Sequence, residues 1–343
     1  MTPRELVLET LAKRESDTLP YQIDLTDAVR KRLAHYFSDE LFEEKIGNAL
    51  AQERNETFTS LGENKIRDMF GVVWSQEQKG DFGVVKDFIL KEPTFKDYRF
   101  PEPEIPSIQD KCRRLVGSLQ RQFTMYTIGF SLFERAWSLR GMENLMVDFV
   151  LAPAFVEELL DRIVEYNLKV VDLVSAFPVD CIFFGDDWGQ QRGLIMGPEH
   201  WRRYIRPRIQ RMYSHVKSKG MYVAQHACGD VSEIFPDLVE AGMDIYNTFQ
   251  PEVYDIDKMK RDFGRSVTFY GGVSTQRLLP RASPAEVKEE VRRLIHVIGA
   301  GGGYIIAPTH SIPDDVPTAN ILALIETVRS QGGERVKKAG RGA

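Results

Sequence analysis

The sequence lacks most of the features that would assign it to a simple class. Only three cysteines, Cys112, Cys181 and Cys228, occur in 343 residues. Three cannot all pair, and they lack disulfide spacing, which points to a reducing compartment where a thiol stays available. No apolar run approaches the ~20 residues of a membrane-spanning helix. The segment Met1–Glu15 carries charges where a secretory leader needs an apolar core. The net charge is −5, so there is no basic footprint for nucleic acid or for an anionic membrane surface. There is no internal repeat. These absences leave a cytoplasmic protein with an ordinary globular composition, 43% hydrophobic and 28% charged, long enough for one large α/β domain.

What is present is a rhythm. After residue 107, apolar strands alternate with helices. The strands are Phe123–Gly129, Cys181–Asp187, Met221–Cys228, Asp244–Phe249, Val267–Val273 and Tyr304–Pro308. The helical patterns between and after them include Ala154–Ser175, Pro198–Lys219, Val231–Ala241, Pro284–Gly299 and Val316–Ser330. Such alternation implies right-handed βαβ units and a parallel sheet. Tyr21–Leu25 and a strand near Phe70–Trp74 bring the count towards the eight of a closed barrel. The expectation is an α/β fold, a distorted (β/α)8 TIM-type barrel with an N-terminal elaboration, with an open doubly wound sheet as the alternative. Residues 1–106 form the elaboration, 107–330 the main barrel region and 331–343 a disordered tail, all in one structural domain. Asp27–Asn55 reads as helical, and Asp81–Val85 follows Phe70–Trp74 in a hairpin-like arrangement.

A barrel places its site at the carboxyl ends of its strands. Those ends carry Asp186-Asp187-Trp188, His226-Ala227-Cys228, Asn247-Thr248-Phe249-Gln250, Gly271-Gly272-Val273 and Ala307-Pro308-Thr309-His310. In a strand, positions i and i+2 share a side, so an imidazole and a thiol at 226 and 228 converge on one point. Nitrogen and sulfur donors suit zinc, which in catalytic sites takes three protein ligands and keeps one position open. His226, Cys228 and His310 are the candidate ligands. Gln250 offers an oxygen or a hydrogen bond to a ligand, and Asp187 a substrate contact or the orientation of a ligand histidine. The structural alternatives are a buried histidine with an inert thiol, a turn role for His310, and helix caps for Asp186 and Asp187. His35, His200, His215 and His296 lie in helical patterns with charged neighbours and read as solvated or structural. The glycines at 299 and 301–303 precede a strand instead of following one, which argues against a phosphate loop.

The set Gly185-Asp186-Asp187-Trp188-Gly189-Gln190-Gln191, Met196-Gly197-Pro198-Glu199-His200-Trp201, Tyr204-Ile205-Arg206-Pro207, His226-Ala227-Cys228-Gly229, Tyr270-Gly271-Gly272-Val273 and Gly302-Gly303-Tyr304 through His310 to Pro317 and Asn320 resembles the uroporphyrinogen decarboxylase-like superfamily. The resemblance covers about residues 65–330 and implies the same barrel. Decarboxylases of that superfamily hold substrate carboxylates with an Arg-Gln-Ala-Gly-Arg segment near the N-terminus. Leu19–Arg32 has no such motif, and Asp24 and Asp27 carry the wrong sign. The other branch, corrinoid-linked methyltransferases, carries zinc on a His-x-Cys pair and a later Cys. His226 and Cys228 match the pair, and His310 stands where the later Cys is expected.

The resemblance therefore implies a zinc-dependent methyltransferase that works with a corrinoid (cobalamin) carried by a separate partner protein, since no Asp-x-His-x-x-Gly cobalamin signature occurs in the chain. A single thiolate among the ligands makes zinc a stronger Lewis acid. That favours demethylation of an O-methyl donor, a methoxylated aromatic or similar molecule, to methylate Co(I). Trp188 could stack on such a donor or belong to the core. The alternatives are thiol methylation from a methylated corrinoid, porphyrinogen decarboxylation, and an inactive barrel subunit. The small-molecule donor and the corrinoid protein are the expected partners, with neither nucleic acid nor membrane, and a homodimer is compatible with all of this.

Overall fold

A computed structural model describes residues 1–76 and 83–339, with side chains through Gln331. Its strands, in chain order, are β1 (Leu50–Arg54), β2 (Phe58–Gly62), β3 (Lys65–Asp68), β4 (Val73–Ser75), β5 (Val84–Asp87), β6 (Phe123–Ile128), β7 (Cys181–Gly185), β8 (Gly189–Gln190), β9 (Gly193–Leu194), β10 (Tyr222–His226), β11 (Ile245–Asn247), β12 (Thr268–Val273) and β13 (Tyr304–Pro308). Seven of them form one parallel sheet in the order β1-β6-β7-β10-β11-β12-β13. Tyr21–Leu25 lies across the remaining gap. It bridges Ile306 and Ile312 in parallel, while Ala49 N–H donates to Tyr21 O at 2.9 Å. The architecture is a distorted βα barrel, as the alternation of strands and helices predicts.

The strands alternate their side chains between two cores. Leu50, Phe123, Met125, Cys181, Phe183, Ala224, Ile245, Tyr270, Ile305 and Ala307 fill the interior. Tyr126, Ile128, Ile182, Phe184 and Val223 face the helical layer. Both faces are covered, which is why these strands read as nearly continuous apolar runs. Among the described residues, no helix is long and apolar enough to cross a membrane.

Three N- and C-terminal expectations differ from what is found. The barrel strand lies at Leu50–Arg54, inside the stretch that reads as helical. The helix there ends at Phe37, and a short 3-10 turn, Phe42–Lys45, follows. The strand near Phe70–Trp74 belongs instead to a four-stranded antiparallel sheet, β2-β3-β4-β5. Its β4–β5 pairing agrees with the hairpin reading, although Asp81 and Phe82 lie outside the described residues. From Gln331 the backbone continues as helix to Ala339, where a disordered tail is expected; residues 340–343 are not described.

One buried ion pair ties the antiparallel sheet to the site. Asp68 accepts from the N–H groups of Phe70 and Val72, both at 2.9 Å, and from Trp74 Nε1 at 3.1 Å. It also accepts from Arg135 Nη1 at 2.5 Å, with both side chains almost fully buried. Arg135 stacks over the Phe70 ring at 4.2 Å. It sits on the helix Phe133–Arg140, whose N-terminus abuts the strand ends.

Candidate metal centre

Two turns at the carboxyl ends of neighbouring strands build the site. After β7 come Asp186 and Asp187. After β10 come Ala227 and Cys228. The turns touch through glycine. A Cβ on Gly189 would lie 2.6 Å from the Gly229 carbonyl carbon, and one on Gly229 would lie 2.3 Å from that of Gly189. Gly229 also has φ of +77°, where L-residues are strained. No other residue type permits this back-to-back contact, and the contact brings Asp187 beside Cys228. The Cys228 N–H donates to Asp187 Oδ1 at 2.7 Å, and Asp230 N–H to Gln190 O at 2.8 Å.

The second turn is bracketed from three sides. Gly229 N–H donates to Gln250 Oε1 at 3.0 Å. Tyr254 Oη donates to Gly229 O at 2.7 Å and accepts from Val231 N–H at 3.0 Å. Tyr246 Oη donates to Ala227 O at 3.2 Å. Gln250 thus holds the loop that carries the thiol through the Gly229 backbone.

Asp187, His226 and Cys228 each offer a donor atom, and all three atoms lie within 4.8 Å of one another. His226 Nε2 is 3.5 Å from Cys228 Sγ and 3.6 Å from Asp187 Oδ1. The other ring nitrogen sets the tautomer. Asn247 Nδ2 donates to Tyr270 O at 2.9 Å, so its Oδ1 faces the ring and accepts from His226 Nδ1–H at 2.6 Å. The Nε2 lone pair is then directed at the thiol and the carboxylate. An imidazole fixed in this way is the usual arrangement around a metal-binding histidine. Withdrawal from water lowers the pKa of His226, with Asp187 pulling the other way, and so favours the neutral, ligating form.

Sequence reasoning proposes His310 as the third donor. The structure places its ring centroid 6.1 Å from that of His226, exposed at the rim, and brings Asp187 into the three-atom group instead. Asp186 is fully buried and accepts from the N–H groups of Leu132, Phe133 and Glu134, at 3.4, 2.9 and 2.7 Å. It caps the helix at Phe133, not a segment at Trp188. Trp188 Nε1 donates to it at 2.5 Å and the indole is fully buried, which makes Trp188 a core residue. Cys112 and Cys181 are also buried, with thiol pKa values raised by burial. His215 pairs with Asp172 at 2.9 Å, and His200 packs on Phe149 and Tyr204.

Residues that sequence reasoning passes over complete the surroundings. Asn247 could have been found from register, because it is the β11 partner of His226. Glu134 has no sequence signal. Burial, then the charges of Asp187 and Asp186, raise its pKa well above the carboxylate range. Asp24, from the segment that closes the barrel, accepts from Gln22 Nε2 at 2.8 Å and Tyr270 Oη at 3.2 Å, and burial raises its pKa too. A mouth with this many carboxylates and one imidazole, one thiol and one oxygen converging fits a divalent cation of the zinc type.

Residues 69–331 match the family described as uroporphyrinogen decarboxylase (URO-D). Over 231 residues the chain is 21% identical to a methylated-thiol–coenzyme M methyltransferase of Methanosarcina mazei, a match covering 66% of this chain and 58% of that protein. Over 241 residues it is 21% identical to a uroporphyrinogen decarboxylase of Thermus thermophilus, covering 67% and 65%. The chain therefore spans about three fifths of the length of these curated relatives. A solved methyltransferase structure from Methanosarcina mazei superposes with a TM-score of 0.76 at 17% identity, covering 96% of this chain and 99% of that one, which shows a shared fold. Because the family match runs through the Asp-Asp-Trp turn, the His-x-Cys turn and the last barrel strand, this chain belongs to the uroporphyrinogen decarboxylase (URO-D) family.

Proposed function

We propose that the chain is a zinc-dependent methyltransferase that takes a methyl group from an O-methyl donor and passes it to the cobalt of a corrinoid carried by a separate protein. The observation that carries this reading is the convergence of Asp187, His226 and Cys228 donor atoms within 4.8 Å, with the imidazole tautomer set by Asn247. His226 Nε2, Cys228 Sγ and an Asp187 oxygen would hold the metal, with His310 beside them at the rim. Zinc there would act as a Lewis acid towards the donor's oxygen. The chain's own residues do the rest: Gln250 and Tyr254 fix the thiol-bearing turn, and Asn247 keeps a proton on His226 Nδ1.

Porphyrinogen decarboxylation is the less supported activity. Asp24 and Tyr270 occupy the mouth near the N-terminal segment, where a polycarboxylate would need clustered cations. A second reading, methylation of a thiol, is favoured by the name of the Methanosarcina relative. Against it, the site offers one thiolate and one carboxylate. A carboxylate donates less charge than a second thiolate, which leaves the metal more electrophilic.

Metal analysis and a methyl-transfer assay test the proposal together. One zinc per chain is expected, falling below a tenth of that in Cys228→Ala (roughly, for loss of one of three ligands). Reduced corrinoid protein should be methylated in the presence of a methoxylated donor. Zinc retained in full by Cys228→Ala would remove the metal assignment. Rapid methylation of a thiol, with no donor demethylated, would reverse the direction.

A further inference from the structure

The amino end of the barrel, opposite the metal centre, holds two amines that no nearby carboxylate neutralises. The first belongs to Lys13. The helix Pro3–Leu11 covers the barrel floor with Val7, Leu8 and Leu11. It ends in a Schellman turn, with Lys13 N–H donating to Thr10 O at 3.1 Å and Arg14 N–H to Glu9 O at 3.0 Å. Such a turn sets one residue in the left-handed region, where glycine is usual; here that residue is Lys13, at φ +58°. Glycine would cost less strain but would lose what the side chain reaches. Lys13 Nζ donates to Thr268 Oγ1 at 2.6 Å, on a fully buried residue that opens β12.

A run of glycines makes room for that reach. A Cβ on Gly302 would lie 2.7 Å from Arg14 O, and one on Gly303 would lie 3.1 Å from Lys13 Cδ and 3.4 Å from its Nζ. The lysine therefore crosses a bare stretch of backbone just before β13. Lys260, on the helix Ile256–Phe263, approaches the same stretch and donates its Nζ to Gly302 O. Both lysines are half-buried, while Gly301 is exposed, so solvent reaches the edge of this cradle.

Among the described residues, neither amine forms an ion pair. Asp244, the carboxylate that acts on Lys13 from a distance, is occupied on both oxygens by Lys217. Two like charges in a partly dry space repel, so burial and the charge of Lys260 push Lys13 down to about 7. A neutral amine carries a free lone pair and is a nucleophile, and a neighbouring ammonium stabilises negative charge formed on it. An electrophile that leaves a carboxylate on Lys13 would supply the counter-ion that the pair lacks. Carbon dioxide does so, and it is small and uncharged, as entry to a half-buried cradle requires.

We propose that Lys13 is a carbon dioxide site, at which Nζ forms a carbamate held by the Lys260 ammonium and the Thr268 hydroxyl. The amine lone pair bonds to carbon, a C=O pair moves onto oxygen, and one N–H proton leaves to solvent. No electrons are gained or lost overall. The adduct replaces an unpaired lysine by an ion pair that ties the helix Pro3–Leu11 to β12 and to the loop before β13. Carbon dioxide thereby tightens the barrel floor. The proposal is independent of the methyl-transfer reading.

The full chain, equilibrated with isotope-labelled bicarbonate and dissolved carbon dioxide at about pH 7.5, is trapped by O-ethylation and mapped by peptide mass spectrometry. The free α-amino group titrates in this range, so its label shows that the trapping worked. Lys13 should carry about tenfold or more label than the mean of the other lysines, which are almost wholly protonated there. Lys260→Met, which removes the counter-ion, should lower the Lys13 label about tenfold, and Lys260→Arg should keep part of it. Raising carbon dioxide at fixed pH and ionic strength should raise the urea midpoint of the wild type and leave that of Lys13→Met unmoved. If Lys260→Met does not fold, the arginine variant and the wild-type midpoint carry the comparison. Label on Lys13 no greater than on the other lysines, label unchanged in Lys260→Met, or a midpoint that ignores carbon dioxide overturns the proposal.

Discussion

A single amide fixes the orientation and tautomer of the His226 ring. Asn247 holds the ring by Nδ1 at 2.6 Å and is itself locked to the Tyr270 carbonyl. Removing it frees the ring to flip and to exchange tautomers. Asn247→Leu should weaken zinc binding by about 10- to 100-fold, while Asn247→Asp, which still accepts the Nδ1 proton, should recover most of the loss. Competition against a chromogenic chelator measures both; equal losses in the two variants would mean that packing, not the hydrogen bond, is what matters. His310 poses the complementary question. Standing 6.1 Å from His226, outside the three-atom group, it should be dispensable for metal stoichiometry. His310→Ala is expected to retain about one zinc per chain, whereas Asp187→Asn should lower affinity about tenfold or more. Loss of zinc in His310→Ala alone would return the third ligand to position 310.

At the level of elements, the site depends on two loops fitting without side chains. Gly189 and Gly229 lie four and three residues after the ends of β7 and β10, which reads in the sequence as ordinary turn chemistry. Only the packing shows that each occupies the space of the other's Cβ. Gly229→Ala must displace the Gly189 loop and strain a residue at φ +77°. It should cost about 2 kcal/mol or more in urea unfolding and also weaken the metal, since Asp187 and Cys228 separate. A destabilised variant with wild-type zinc affinity would show that the loops are not what aligns the donors. The same scale explains the strand that sequence reading misses. On β1, Leu50, Gln52 and Arg54 point inward, and Glu53, pointing out, pairs with Arg114 at 2.6 Å. Neither face is apolar, so the segment carries no strand period. Val72 and Trp74, by contrast, look like core strand residues because they are buried, but they are buried under a separate antiparallel sheet, with Trp74 against Phe130 and Trp137.

The whole molecule carries a pH dependence at the end of the barrel opposite the site. Lys13 Nζ donates to Thr268 Oγ1 at 2.6 Å at the start of β12, and Lys260 donates to Gly302 O. Burial, and for Lys13 the charge of Lys260, push their pKa values down to about 7 and about 8. Between these values and the ordinary lysine range near 10.5, the unfolded chain binds protons that the folded chain has released. Stability should therefore rise with pH across that window, by at most about 1.4 kcal/mol per pH unit for each lysine, and be lowest below pH 7. Urea midpoints from pH 7 to 10 check this. Lys13→Met should be more stable than wild type at pH 7 and show a shallower slope; an unchanged slope would mean that Lys13 stays hydrated and charged.

Sequence periodicity by itself determined the βα alternation after residue 107, because strands buried on both faces and helices buried on one leave different apolar patterns. The strand-end location of His226, Cys228 and Asp187 followed from it, since a parallel barrel has one chemical end. The motifs at those ends were legible as a family resemblance for the same reason. Which donors meet was decided only by tertiary structure. His310 and Asp187 stand at strand ends alike, and the sequence ranks them by ligand chemistry, in which a histidine looks as good as a carboxylate. The choice depends on a contact between Gly189 and Gly229, 40 residues apart.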